Sequence, residues 1–237
     1  MKKTTIYIIS VLFLLMISCS KQPKERVLTM KDVFPTQKNT DSTFVFDLDT
    51  VKSFESLTSV FCKNYDKRKI KCYIRTSKND IPFHVNSMIL CGKAVCGMIK
   101  FKNILFVDSY TDSLFYHNEV KYNFNTESFE NMLKKQFFNN REKPEFADSP
   151  YTSLIFLEFI GSINKSKGRL KNRIDTISKS YYNFITSFNK KNIDSIKKVY
   201  PLQIRLEEAI PFIDEKGDRT NFYNPPPPKP APIEIVD

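Results

Sequence analysis

Two aspartates, Asp47 and Asp49, follow the apolar run Phe44-Val45-Phe46 and are the residues of this chain best spaced for chemistry. A carboxylate at the end of a strand can attack an electrophile while a second, two positions on, moves the proton, provided a cation such as Mg2+ neutralises both. The same spacing also serves a plain structural purpose, because short Asp side chains accept hydrogen bonds from the backbone of turns and helix starts. Cys62, Cys72, Cys91 and Cys96 offer two disulfides in an oxidising compartment, with three possible connectivities. Buried thiols are the alternative, since free Cys packs as a small hydrophobe. A zinc site ranks below both, because neither Cys62-x9-Cys72 nor Cys91-x4-Cys96 is a C-x-x-C knuckle. His84 and His117 fall in separate elements with no HExxH pairing, so no metal site is expected. A G-x-S-x-G elbow is also absent from the sequence. The chain therefore reads as a non-enzyme, with carboxylate chemistry at Asp47 and Asp49 as the alternative.

The elements that would hold these residues follow from hydrophobic periodicity. Thr43–Phe46 reads as a strand, and Val51, Phe54, Leu57 and Phe61 recur at helical spacing. Lys69–Arg75 alternates as a strand, and Asn79-Asp80 followed by Pro82 predicts a helix running to Val95. Met98–Val107 and Leu114–Phe124 are aromatic strand candidates. Phe129, Met132, Leu133, Phe137 and Phe138 mark an amphipathic helix from Thr126, and Tyr151–Ile163 an apolar strand. Gly168 ends a polar turn after which Leu170, Ile174 and Ile177 are read as a partner strand. Ser180 opens a helix that Tyr200-Pro201 stops, and Leu202, Ile204 and Leu206 alternate as a final strand. The expected fold is α+β: an antiparallel sheet with packed helices, and a β-hairpin–helix–strand unit in the C-terminal half.

The string Phe44-Val-Phe-Asp47-Leu-Asp49-Thr50-Val51 resembles the first motif of the haloacid-dehalogenase phosphatase superfamily, an apolar strand followed by D-x-D-x-[TV]. The resemblance implies Asp47 as nucleophile, Asp49 as acid/base and Mg2+ as cofactor. Ile74-Arg75-Thr76-Ser77 is similar to that family's phosphate-binding hydroxyl motif, and Asp108 with Asp112 to its metal-binding D-x3-D. A Gly that often follows the second Asp there has no counterpart after Asp49.

The N-terminus carries an address. Lys2 and Lys3 precede an apolar run, Ile6–Ile17, shorter than the roughly 20 residues of a spanning helix, so it reads as a removable signal. Leu15-Met16-Ile17-Ser18-Cys19 resembles a bacterial lipobox. That resemblance implies cleavage after Ser18 and lipidation of Cys19, whose acyl chains would anchor the protein in the envelope of a Gram-negative bacterium, at an outer membrane facing the periplasm or the surface. Loss of Lys2 and Lys3 takes the formal charge from +11 to +9. Basic and acidic residues are interspersed, so the excess points to solvated faces and anionic envelope surfaces rather than nucleic acid.

The expected organisation is a signal peptide over 1–18, a flexible tether over 19–42, an N-terminal α/β lobe over 43–125, a C-terminal α+β lobe over 126–215 that shares or abuts one sheet with it, and a Pro-rich tail over 216–237. Six of the last thirteen residues are proline, which favours an extended rod able to act as spacer or docking ligand. Ile233-Glu-Ile-Val236 could add to a sheet edge. Leu154-Ile-Phe-Leu-Glu-Phe-Ile, the turn ending at Gly168, the helix after Ser180 and Leu202-Gln-Ile-Arg-Leu together resemble the C-terminal domain of the TonB energy-transducer family, as the tail resembles that family's Pro-rich linkers. Tyr200-Pro-Leu-Gln-Ile bears a looser likeness to periplasmic domains of the ExbD/TolR motor-accessory family. These resemblances imply a module that binds an envelope protein through a strand edge or the tail, in transport or energy transduction.

Overall fold

The computed structural model describes residues 27–34, 43–50, 53, 59, 71–76, 80–82, 84–85, 99–107, 113–116, 120–160, 163–188, 192–209, 212–213 and 219–220. The expected helix from Val51 lies outside the described residues apart from Ser53 and Ser59. Among the described residues, β1 (Thr43–Asp47), β2 (Lys71–Arg75) and β3 (Asp80–Pro82) form a three-stranded sheet, β1 parallel and β3 antiparallel to β2. A six-stranded sheet is assembled from β4 (His84–Val85), β5 (Ile104–Val107), β6 (Ser113–Tyr116), β7 (Val120–Asn123), β8 (Leu154–Ile160) and β9 (Ile204–Ala209). Its order is β4-β9-β8-β5-β6-β7. Strands β4, β9, β8 and β5 run parallel, and β6 and β7 complete it as an antiparallel meander. The chain is α+β, but the expected antiparallel sheet is mixed, with a parallel centre.

The cause lies in one helix. Where a hairpin was expected, α3 (Ile163–Thr186) runs unbroken between parallel β8 and β9 and makes the long crossover that parallel strands require. Gly168 sits inside this helix rather than in a turn. Leu170, Ile174 and Ile177 recur at intervals of four and three, the helical period, and continue into Tyr181, Phe184 and Ile185, all buried. Each such side chain contributes about 1.5–3 kcal/mol, so packing outweighs the Gly penalty. Ser180 does not open a helix. Its hydroxyl donates to the Thr176 carbonyl one turn back and lies 2.9 Å from the Thr126 carbonyl, joining α3 to the start of α2 (Thr126–Phe138).

The remaining elements agree in part with the periodicity. Helix α2 begins where Asn125 accepts a hydrogen bond from the Ser128 N–H at 2.9 Å. The predicted helix from Asn79 is absent over Asp80–Pro82 and His84–Val85, which are strands; its further residues lie outside the described ones. Leu114–Phe124 is two strands, β6 and β7, rather than one. A short helix, α4 (Ile193–Val199), precedes β9, and β10 (Phe212–Ile213) pairs with β11 (Arg219–Thr220).

One core joins both expected lobes. Leu105, Val107, Ile155, Leu157, Ile204 and Leu206 of the large sheet pack in the same cluster as Phe46 and Ile74 of the small one, Leu48 just after β1, and the apolar faces of α2 and α3. The 43–125 and 126–215 boundary therefore crosses a shared sheet. The expected tether over 19–42 is also partly structured. Its residues 27–34 carry α1 (Met30–Val33), and Val33 and Phe34 are buried in the main core. The Tyr182 hydroxyl donates to the Leu28 carbonyl at 2.6 Å, and Phe34 lies 5.9 Å from the Tyr181 ring.

Candidate functional site

The carboxylate pair is placed by β1. Asp47 ends that strand opposite Arg75 of β2, so both stand at the C-terminal edge of a parallel pair, the edge at which open α/β sheets place ligands. Thr76, the next residue, is buried. Two further cations come from the first turns of α3. Lys171 Nζ donates to Asp49 Oδ1 at 2.6 Å, and Lys167 Nζ to the Asp49 carbonyl at 2.8 Å. Sequence reasoning did not find these lysines. They sit four apart and so on one helix face, a signal hidden once the stretch is read as turn and strand.

The interactions of the two carboxylates are local. Asp47 Oδ1 accepts from the Asp49 N–H at 2.9 Å, and the Thr50 hydroxyl donates to the Asp47 carbonyl at the same distance. This is an Asx-type turn that closes the strand end. Arg75 Nε donates to Asp80 Oδ1 at 3.1 Å. That hydrogen bond, then the Asp80 and Asp47 charges, raise the guanidinium's proton affinity above its ordinary value. Asp47, Asp49 and Asp80 thus meet Arg75, Lys167 and Lys171, three charges against three. A dication at Asp49 would have to displace an ammonium already in contact with the carboxylate, and Asp47 is engaged by backbone. Asp108 and Asp112, which the phosphatase resemblance would use to complete a Mg2+ site, lie outside the described residues. Among the described residues no group of three His, Cys, Asp or Glu side chains is placed to hold a metal.

Cys72 lies on β2 facing the core as a free thiol, and burial pushes its pKa up to about 11, so it is protonated and unreactive at neutral pH. Cys19, Cys62, Cys91, Cys96 and His117 lie outside the described residues. His84 belongs to β4 beside Arg205 of β9. Among the described residues no helix is long and apolar enough to cross a membrane.

A second polar cluster was not foreseen. Buried Asn139 donates through Nδ2 to the Lys143 and Ala147 carbonyls, has the Phe146 carbonyl at 3.3 Å, and accepts from the Lys143 N–H. Gln136 accepts from Ala147 N–H and donates to the Lys102 carbonyl. Together they pin the irregular segment between α2 and β8, with Asp148 held between Lys100 and Lys102. This cluster satisfies backbone groups and stabilises the loop. No family profile, no curated protein and no solved structure matches the chain.

Proposed function

We propose that the chain is a lipid-anchored cell-envelope protein that acts as a binding or adaptor module rather than an enzyme, linked to envelope transport or energy transduction. The observation that carries this reading is the pattern Leu15-Met-Ile-Ser-Cys19 behind a basic, apolar leader, with Cys19 as the acylated residue. The self-neutralised Asp47/Asp49 cluster supports the adaptor side of it, because its carboxylates are engaged by the chain's own lysines and backbone. The partner is an envelope protein that takes the Pro-rich tail or pairs with an edge strand. β4 and β7 are the edges of the large sheet among the described residues. Crosslinked capture from native membranes tests this directly. A reproducible envelope complex that is lost on deleting residues 224–237 is the expected result. Undiminished capture without the tail removes its docking role, and an empty capture removes the adaptor.

One observation favours a second reading, a phosphohydrolase of haloacid-dehalogenase type: Asp47 and Arg75 share the C-terminal edge of a parallel strand pair. It requires Mg2+-dependent hydrolysis of a phosphate ester that Asp47→Asn abolishes. Background turnover unchanged by that substitution rejects it.

A further inference from the structure

The large exposed hydrophobic side chains among the described residues are Val27, Ile99, Phe101, Phe138, Tyr151 and Val199. Topology gathers them. β5, β8 and β9 are parallel, so their starts lie at one end of the sheet, and Ile99, Phe101, Tyr151 and Val199 each stand within five residues upstream of such a start. Helix α3 returns from β8 to β9 and therefore ends there as well. Phe138, at the C-terminus of α2, joins them with its ring 5.6 Å from Tyr200 and 6.1 Å from Phe188. Tyr200 stacks on Phe188 at 5.4 Å, and its carbonyl accepts the Tyr181 hydroxyl at 2.7 Å. Phe138 and Val199 are 44% and 45% exposed, and Val27 79%. Scattered exposed apolar residues are ordinary on a protein surface, whereas collection at one end marks an interaction site.

The N-terminal segment docks beside the same end. Leu28 is held at Tyr182, four residues before the end of α3 and so about 6 Å of helix away. Lys197 Nζ, on α4, reaches the Asp32 carbonyl at 3.3 Å. Nine residue steps separate Leu28 from Cys19 and span at most about 32 Å, against about 85 Å had the free tether run to Thr43. A compact domain of about 200 residues is about 40 Å across. Leu28 docks nearer this end than the Asp47/Asp49 end, so an anchor on Cys19 can bring this end to the bilayer. Exposed Lys31 on α1 and Lys198 on α4 complement anionic headgroups, and the sequence between Cys19 and Val27 holds Lys21, Lys24 and Arg26 against the single Glu25.

We infer that the end of the domain formed by the starts of β5, β8 and β9 and the C-termini of α2, α3 and α4 is a membrane-contact face, which seats Phe138, Tyr151 and Val199 at the headgroup level of an anionic lipid surface. The orientation rests on lipidation of Cys19; the face itself can be tested without it. The chain contains no Trp, so a single introduced Trp reports its own surroundings. In the mature chain from residue 19 carrying Cys19→Ser, Tyr151→Trp and, separately, Phe138→Trp emission shifts to the blue with phosphatidylglycerol vesicles and not with phosphatidylcholine vesicles. Asn172→Trp, exposed near the start of α3, does not shift. Lys31→Gln and Lys198→Gln each weaken vesicle binding about fivefold. No binding to anionic vesicles, or an equal shift at residue 172, overturns the proposal. So does a shift at 138 and 151 that appears only with an envelope protein and never with lipid, since the face would then belong to a protein partner. Failure of acylation at Cys19, read separately from the mass of the mature N-terminus, removes the anchor while leaving the vesicle result to stand or fall alone.

Discussion

Asp49 illustrates how little a spacing decides. Its side chain is 69% exposed and takes one lysine at 2.6 Å, in a geometry worth at most about 1 kcal/mol for a surface pair. Asp49→Ala is therefore expected to lower the unfolding free energy by less than about 1 kcal/mol in chemical denaturation. A much larger loss would mean that the α3 contact is structural in a way the geometry does not account for. Among the described residues, Asp148 is a carboxylate whose contribution to stability depends on pH. The hydrogen bond from Lys102, with Lys100 adding to it, holds its pKa below the usual value. A group depressed in the folded state contributes stability above its unfolded pKa of about 3.9, and loses it as pH falls through the lower folded value. Asp148→Asn is expected to cost stability at neutral pH and to flatten the acid limb of the stability curve, the two proteins converging below the carboxylate range. Parallel curves across that range would contradict this. At this scale the sequence displayed the Asp47-x-Asp49 pair plainly, but not Lys167 and Lys171, which reach it from more than a hundred residues away.

At the scale of elements, α3 carries the main departure from the sequence reading. The polar run Asn164-Lys-Ser-Lys-Gly168 has the composition of a turn, and Gly168 drew the boundary there, although the apolar spacing from Leu170 onward is helical. Six buried residues on one face overrode a local turn signal, the usual outcome when tertiary packing competes with propensity. Helix α2 was legible because its cap and its apolar stripe agree. The strands β2, β8 and β9 were legible in place but not in direction, since parallel and antiparallel pairing are set by the connection between them. Gly168 now offers a clean test. A Cβ there would meet nothing within 4 Å, and the residue lies in a helix. Gly168→Ala is expected to stabilise the protein by about 0.5–1 kcal/mol, raising Tm by roughly 1–4 °C. A residue in a positive-φ turn would instead be destabilised by the same change, so a lowered Tm contradicts the helix.

For the whole molecule, the sequence suggested two lobes sharing or abutting one sheet behind a flexible tether; the large sheet draws strands from both lobes, and the core also holds Val33 and Phe34 of the tether segment. Those two side chains gave no periodic signal, because a four-residue helix is too short to display one. Their docking places the N-terminal segment beside the exposed aromatic end, the end proposed above to face the bilayer. The proposed function at this scale depends on the anchor. The most direct measurement is the intact mass and N-terminal peptide of the protein purified from its native membranes. The account predicts a chain that begins at Cys19, carries a thioether-linked diacylglycerol and becomes an uncleaved, unacylated precursor on Cys19→Ala. A mature protein that begins elsewhere, or begins at Cys19 without acyl chains, would contradict it.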